Sequence, residues 1–286
     1  MWSGWSGHCV SLHVDSYGSG APLLLIHGWG MHGGMWGAVT QQLAEHFRVL
    51  AVDLPGYGLS AGSGEWRVGS GGTALHLPLT TYHLLLDNIV DQLSVQFDGP
   101  LAVCGWSLGG QIALRWVARE PEKIKRLVLV ASTPCFTMRD DWLFGMTRAT
   151  LQQFAAELQQ NHTATLHRFL ALQVRGSKDE RKLLASLREL LFSRGEPHPD
   201  ALRSGLEILR DADLRSALPE IRQPALVIAG ERDRLTPPQA SHYLAQTLPD
   251  ARLVEIKGAA HAPFLSHPNE FVKALMDFIK GDFRVG

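Results

Sequence analysis

A serine flanked by glycines stands between an apolar run and a helical stretch. The segment "GWSLGG", residues 105–110, follows "LAVC" and precedes "QIALRWVARE". It matches the G-x-S-x-G pattern, in which the serine occupies a sharp, strained strand-to-helix turn that leaves no room for nearby side chains. A helix N-terminus also favours developing negative charge, so Ser107 is the candidate nucleophile. The alternative is a serine N-cap with packing glycines.

A histidine and a carboxylate follow this serine in the order that serine catalysis needs. Asp233 in "ERDRLTP" follows the apolar run "PALVIAG", and His261 in "AAHAPF" follows "RLVEIKG". A serine hydroxyl is a poor nucleophile until a base takes its proton, and a carboxylate fixes the tautomer of that base. The order Ser107, Asp233, His261 therefore predicts a triad for acyl transfer. Glu231 and Asp53 are rival candidates for the carboxylate.

Acyl transfer also needs two backbone donors for the oxyanion. One comes from the residue after the nucleophile, here Leu108, and the other from the loop after an early strand. The segment "HGWG", residues 27–30, occupies that position, and Trp29 is its best candidate. The alternative for this segment is a glycine turn with a core indole.

Apolar runs bounded by turn residues alternate with stretches of helical spacing. The runs begin near residues 22, 47, 101, 126, 224 and 252 and predict strands. This alternation predicts an α/β fold with a mostly parallel sheet flanked by helices. Residues 134–218 contain only helical stretches, so we expect a core domain of residues 1–133 and 219–286 with a helical cap of residues 134–218. The glycine- and serine-rich stretch 60–78 predicts a mobile loop.

The composition excludes several classes of function. The chain has 286 residues, 45% of them hydrophobic, and a formal net charge of −1, which gives no global field for nucleic acid or an anionic membrane. No segment approaches a membrane span, and the start lacks the pattern of a secretory signal, so we expect a cytoplasmic monomer. Cys9, Cys104 and Cys135 form no C-x-x-C pair and predict free thiols. No metal site or cofactor is expected.

At this point the chain resembles a known family over almost its entire length. The segments "HGWG", "VDLPGYGLS", "GWSLGG", "RFLALQ", "GLEIL" and "AAHAPFLSHP" are similar to those of the BioH-type carboxylesterases of biotin synthesis. The resemblance implies an α/β-hydrolase fold with a helical cap inserted after the sixth strand. It also implies a serine esterase that converts the methyl ester of a pimeloyl carrier protein to the free acid and methanol.

The resemblance also assigns residues. It implies that Trp29 and Leu108 form the oxyanion hole of the Ser107, Asp233 and His261 triad. It implies further that the acyl chain and its carrier meet a set of side chains: Trp29, Trp106, Phe169, Arg168 and Arg181. Ala164 and Ala185 stand where the family has further arginines, and the stretch 61–80 is longer and richer in glycine than the family pattern.

The charge pattern of the insert bears on the carrier independently. Residues 162–194 contain seven basic and three acidic side chains in a nearly neutral protein. The basic residues recur about every seven positions, which would align them on one helical face, although "GS" at 176 and 177 interrupts that helix. The alternative is a solvated face with no partner.

The sequence leaves other functions of the same fold open. A haloalkane dehalogenase or epoxide hydrolase would carry an aspartate at the position of Ser107, so both are disfavoured. A general short-to-medium-chain esterase, a lactonase and a carbon–carbon bond hydrolase could share the triad. A hydrolase-fold binding protein that has lost its chemistry is a further alternative, which the intact triad disfavours.

Overall fold

A computed structural model describes residues 11–61 and 81–281 of the chain, and these residues form a seven-stranded sheet. The strands are β1 (Val14–Tyr17), β2 (Pro22–Ile26), β3 (Arg48–Val52), β4 (Leu101–Trp106), β5 (Ile124–Val130), β6 (Ala225–Gly230) and β7 (Ala251–Ile256). Their order is β1-β3-β2-β4-β5-β6-β7. Only β1 runs antiparallel among the described pairs, which confirms the predicted α/β fold with a mostly parallel sheet.

Helices cover the sheet and account for its apolar strands. The α-helices in the described ranges are α1 (Ala38–Ala44), α2 (Thr81–Gln96), α3 (Leu108–Arg119), α4 (Arg148–Gln160), α5 (His162–Val174), α6 (Glu180–Leu191), α7 (Pro199–Asp211), α8 (Pro238–Thr247), α9 (Pro263–Ser266) and α10 (Pro268–Lys280). Every residue of β4 and β6 is buried. Strands buried on both faces read as continuous apolar runs, which explains why the sequence predicted them so directly.

Four helices, α4 to α7, lie between β5 and β6. They fall within the stretch 134–218 that the sequence assigns to a cap, and its assignment as a separate domain stays a prediction. Side chains start two of these helices: Thr147 Oγ1 accepts from Thr150 N at 3.1 Å, and Asn161 Oδ1 accepts from Ala164 N at 2.9 Å. Counted from β1, the first strand of the described residues, these four helices follow the fifth strand. The resemblance implies a cap after the sixth strand.

The carboxyl ends of the parallel strands meet at one edge of the sheet, where open α/β folds bind ligands. The segment after β2, residues 27–34 and here called the β2 loop, lies at this edge. Asp53 follows β3, Ser107 follows β4, and the loops after β6 and β7 contain Asp233 and His261. The fold therefore brings the candidate residues to the same edge.

Two of the features predicted from the sequence lie wholly or mostly outside the described residues. The predicted loop at 60–78 lies almost entirely outside the described residues, as does Cys9. Cys104 and Cys135 are free and buried. Within the described ranges, no helix has the length and apolar character needed to cross a membrane.

Candidate active site

Ser107 occupies the turn between β4 and α3 with a strained backbone. Its φ is 56° and its ψ is −116°, a conformation that L residues rarely adopt. The neighbouring glycines are required by close packing, since a Cβ on Gly105 would lie 2.3 Å from Gly109 O, and one on Gly109 would lie 2.3 Å from Ile26 O. The turn thus forms only because these positions lack side chains.

Asp233 and His261 form a buried hydrogen-bonded pair. His261 Nδ1 lies 2.8 Å from Asp233 Oδ2, and both side chains are 1% exposed. An ionised carboxylate can only accept, so Nδ1 carries the proton and Nε2 is left as an acceptor. Thr236 Oγ1 donates to the same carboxylate oxygen at 2.7 Å, while Leu235 N and Thr236 N donate to Oδ1 at 2.9 and 3.0 Å. These donors hold the carboxylate in position.

The His261 loop is attached to the residue that precedes Ser107. Trp106 Nε1 donates to His261 O at 2.8 Å, and the two rings lie 5.9 Å apart. In the described chain His261 Nε2 is buried without a hydrogen-bond partner, and no hydrogen bond joins it to Ser107 Oγ. Bonds between nucleophile and base are often long before substrate binds. The base nitrogen is therefore free to accept a proton.

The β2 loop lies directly against Ser107. A Cβ added to Gly28 would lie 3.3 Å from Ser107 Cβ, which brings the backbone of the next residue, Trp29, close to the serine. Leu108 is the first residue of α3, so its N–H has no acceptor within the helix. Both predicted oxyanion donors therefore lie on backbone segments beside Ser107.

The Trp29 side chain packs against the insert. Its Nε1 donates to Leu202 O at 2.8 Å, and its ring makes edge contacts with Phe169 at 4.9 Å and with Phe154 at 5.4 Å between centroids. Phe169 is buried in this cluster of three aromatic rings. Trp106, the other aromatic residue that the resemblance assigns to the acyl pocket, packs instead between His261 and Phe264. Its role in the pocket stays a prediction.

The rival carboxylates do not contact the histidine. Glu231 Oε2 accepts from Gly258 N at 2.8 Å, in the loop after β7. Asp53 accepts from Gly33 N at 2.6 Å and from Leu59 N at 2.8 Å. Of the three candidates, only Asp233 is hydrogen-bonded to His261 in the described chain.

Known proteins share this architecture over nearly all of the chain. The family model of the alpha/beta hydrolase fold matches residues 21–268. The chain belongs to the α/β-hydrolase family. A "Pimeloyl-[acyl-carrier protein] methyl ester esterase" of Nitrosomonas europaea is 43% identical over 92% of this chain and 97% of its own length. A protein of the same name from Nitrosospira multiformis is 40% identical over 95% of this chain and 99% of its own.

Solved structures support the fold of this hydrolase. An esterase from Exiguobacterium antarcticum superimposes with a TM-score of 0.78 at 24% identity, covering 94% of this chain and 95% of that one. An enol-lactonase from Burkholderia xenovorans superimposes with a TM-score of 0.74 at 22% identity, covering 94% and 96%. At these identities the likeness concerns the fold alone.

His27, at the start of the β2 loop of the hydrolase, is buried and neutral. Its Nε2 accepts from Leu54 N at 3.0 Å, so Nδ1 carries the proton and donates to Gly28 O at 2.8 Å. Burial lowers the pKa of His27 to about 4. Protonation would remove the acceptor that Leu54 N requires, so the neutral tautomer supports the shape of the loop.

The depressed pKa of His27 predicts that acid destabilises the protein. The unfolded chain takes up this proton near pH 6.5 and the folded chain only near pH 4, so the unfolding free energy falls as pH falls between these values. The loss is on the order of 3 kcal/mol. Urea unfolding at a series of pH values in this window measures it. His27→Gln cannot take up the proton and should show a shallower slope; an equal slope would contradict the assignment.

Four of the seven basic residues counted in 162–194 lie on two helices, Arg168 on α5 and Arg181, Lys182 and Arg188 on α6. The interruption predicted at "GS" is confirmed, because α5 ends at Val174 and α6 begins at Glu180. The stretch of recurring basic residues is therefore divided at this break, although α5 and α6 pack against each other. Arg168 is 54% exposed and pairs with Glu157, and Arg181 is exposed at the start of α6.

Arg194 departs from the predicted basic patch. It follows α6 and its side chain is 15% exposed, because it pairs with Asp15 and with the fully buried Asp53. The exposed surface formed by residues 162–194 therefore carries less positive charge than the seven basic residues in this stretch indicate.

A separate cavity of about 600 Å³ lies between α4 and α7. Leu158, Leu202 and Leu206 contribute apolar lining, and Arg203 and Glu207 contribute charged groups. Neither Ser107 nor His261 lines it. The reacting groups define the candidate active site, and this cavity belongs to the insert.

Sequence reasoning missed two residues next to the histidine. Thr236 bonds the Asp233 carboxylate, and an Asp followed three residues later by Thr was a local signal for such a turn. Gln173 O accepts from His261 N at 3.1 Å, and its buried side-chain Oε1 has no partner in the described chain. The family segment "RFLALQ" contains this glutamine, but the sequence alone indicates no role for it.

Proposed function

We propose that this hydrolase removes the methyl group from the methyl ester of a pimeloyl carrier protein, in biotin synthesis. The chain is a carboxylic ester hydrolase of the α/β-hydrolase family. Relatives named "Pimeloyl-[acyl-carrier protein] methyl ester esterase" match it over almost its entire length. The observation that supports the mechanism is the 2.8 Å pairing of His261 Nδ1 with Asp233. In the described part of the chain it leaves His261 Nε2 buried without a hydrogen-bond partner, and Trp106, which precedes Ser107, binds the His261 carbonyl.

The reaction proceeds through an acyl-enzyme. Ser107 Oγ attacks the ester carbonyl carbon while His261 Nε2 takes the hydroxyl proton. The N–H groups of Trp29 and Leu108 stabilise the oxyanion that forms. The tetrahedral intermediate collapses, the C–O bond to methoxide breaks, and His261 returns the proton so that methanol leaves.

Deacylation repeats these steps with water. His261 Nε2 takes a proton from a water molecule that attacks the acyl-Ser107 carbonyl, and it then returns the proton to Ser107 Oγ. The product is the free distal carboxylate, still attached to its carrier. Asp233 stays ionised throughout and stabilises the imidazolium.

The insert would hold the acyl chain and its carrier. In this proposal residues 134–218 form a cap over the strand ends, Trp29 and Phe169 contact the acyl chain, and Trp106 completes the pocket floor. The carrier stays outside, where its phosphate and acidic surface meet Arg168 and Arg181. The enzyme would act in the cytoplasm as a monomer and needs no cofactor.

Comparing three substrates tests this function. Purified enzyme is assayed with methyl pimeloyl carrier protein, free dimethyl pimelate and p-nitrophenyl acetate. The proposal expects kcat/KM to be highest for the carrier-bound ester. Equal or higher kcat/KM for the free esters would favour a general esterase, and no turnover of any ester would favour a binding protein.

Reversing two charges on the insert should weaken carrier recognition selectively. Arg168→Glu/Arg181→Glu removes attractive contacts made outside the pocket, so KM for the carrier-bound ester should rise about tenfold or more. Hydrolysis of p-nitrophenyl acetate should stay within about twofold. Because such contacts are partly solvated, raised salt should reproduce the KM effect in the wild type.

A matched control changes the charge equally at the opposite edge of the sheet. Lys125 and Arg222 are exposed near the starts of β5 and β6. Lys125→Glu/Arg222→Glu should leave both substrates unaffected. Equal damage to both substrates by the insert variant would mean that its arginines support the fold, and no damage would mean that the carrier docks elsewhere.

A further inference from the structure

A buried carboxylate outside the triad lies beneath the β2 loop. Asp53 follows β3 and is fully buried. Its Oδ1 accepts from Gly33 N at 2.6 Å and its Oδ2 accepts from Leu59 N at 2.8 Å. A Cβ on Gly58 would lie only 2.4 Å from Oδ2, so the carboxylate fits here only because residue 58 has no side chain. The position of Asp53 therefore fixes the end of the β2 loop.

The cation that neutralises this carboxylate comes from the insert. Arg194 lies between α6 and α7, and its NH1 is 3.2 Å from both oxygens of Asp53. Its NH2 pairs with Asp15 of β1. A buried charge without its partner is strongly destabilising, and the planar guanidinium presents five N–H donors in a rigid fork that can meet two carboxylates at once.

The same contact region joins the β2 loop to the insert a second time. Gly34 N donates to His32 Nδ1 at 3.1 Å, so His32 Nε2 carries the proton and donates to Leu190 O at 2.9 Å. A Cβ on Gly34 would lie 3.0 Å from both Nε and NH2 of Arg194. The guanidinium thus packs directly on the backbone of the loop.

We propose that Arg194 is a positioning residue for ester hydrolysis, which holds the β2 loop through Asp53 so that Trp29 N–H points at the oxyanion. This rests on the proposed function, because it takes Trp29 N–H as an oxyanion donor. The loop is pinned at His27 by Leu54 N and at Gly33 by Asp53, and Trp29 lies between these two points. Without Arg194, the uncompensated Asp53 draws in water or shifts, and the second point moves.

Replacing Arg194 should lower the rate of the chemical step more than substrate binding. Arg194→Met keeps the length of the side chain and removes its charge and donors. Because small displacements of oxyanion donors are costly, kcat for p-nitrophenyl acetate should fall about tenfold with KM within about twofold. Backbone amides of residues 27–36 should exchange hydrogen faster, as measured by mass spectrometry of the intact enzyme. Arg194→Lys should recover part of kcat.

A matched control separates positioning from stability. Arg115 joins Asp87 through two hydrogen bonds of 2.8 and 3.0 Å between α3 and α2, away from the β2 loop. Arg115→Met should lower the melting temperature while leaving kcat within about twofold and exchange in residues 27–36 unchanged. The Arg115→Met variant thus shows how much the loss of an ion pair alone changes the melting temperature and kcat.

Each outcome decides between the two roles. If Arg194→Met keeps the kcat of Arg115→Met, Arg194 only stabilises the fold and the proposal is wrong. If Arg194→Met does not fold, the comparison passes to Arg194→Lys, whose kcat must then fall while KM is kept. If wild-type enzyme hydrolyses no ester, the proposed function fails, whereas unchanged exchange in residues 27–36 would overturn the Arg194 contact separately.

Discussion

Ser107→Ala protein is expected to fold normally and to hydrolyse p-nitrophenyl acetate about 10³-fold or more slowly than the wild type. The Ser107 hydroxyl is the proposed attacking group, and alanine offers no nucleophile in its place. The substitution removes one atom, and Ser107 Oγ makes no hydrogen bond in the described chain, so the cost in stability should stay within about 0.5 kcal/mol. Steady-state kinetics and thermal unfolding measure the two effects.

A second buried serine provides the control for this change. Ser241 lies on α8, is fully buried, and its Oγ also lacks a hydrogen-bond partner in the described residues. Ser241→Ala should leave kcat within about twofold. Wild-type activity in folded Ser107→Ala protein would rule out the serine mechanism.

Asp233→Asn should preserve the shape of the site and reverse the tautomer of His261. Leu235 N and Thr236 N require an acceptor on one side of the residue-233 side chain, so the asparagine oxygen turns to them and its NH₂ faces His261 Nδ1. Nδ1 must then accept, and Nε2 carries the proton and cannot take one from Ser107. We expect kcat to fall about 10³- to 10⁴-fold, measured with p-nitrophenyl acetate and with the carrier-bound ester.

Glu231→Gln is the matched change at the neighbouring carboxylate. Glu231 accepts a hydrogen bond from Gly258 N and makes no contact with His261 in the described chain. Its amide oxygen can still accept from Gly258, so activity should stay within about threefold. Should Glu231→Gln prove more damaging than Asp233→Asn, the carboxylate of the triad has been assigned wrongly.

Local sequence carried enough information for the six parallel strands, though not for the antiparallel edge strand β1, and for the order of the candidate residues. Strands covered on both faces are continuous apolar runs, and the residues after them must lie at one edge of a parallel sheet. Ser107, Asp233 and His261 each follow such a run. The glycines at 105 and 109 are likewise dictated locally, since the turn excludes any Cβ there.

Contacts between distant segments left no comparable signal. Arg194 and Asp53 are 141 residues apart, so the sequence alone does not distinguish Arg194 from the exposed basic residues of the insert. The backbone bond from His261 N to Gln173 O depends on how the insert sits on the core, and backbone bonds leave no mark on residue type. The break in the basic stretch, by contrast, has a local cause, because Gly176 has a φ of 87° and the chain turns there.

The attachment of the insert has a consequence for how substrate range can change. Core side chains reach for carbonyl oxygens of the insert: Trp29 Nε1 binds Leu202 O, Tyr57 Oη binds Ala201 O, and His32 Nε2 binds Leu190 O. Every residue type supplies a carbonyl, so these three bonds place no demand on the identity of the residues that accept them. Mutational libraries directed at the insert can therefore vary the accepting residues without removing these three bonds, provided that Arg194 is kept, and natural drift toward new esters has the same freedom.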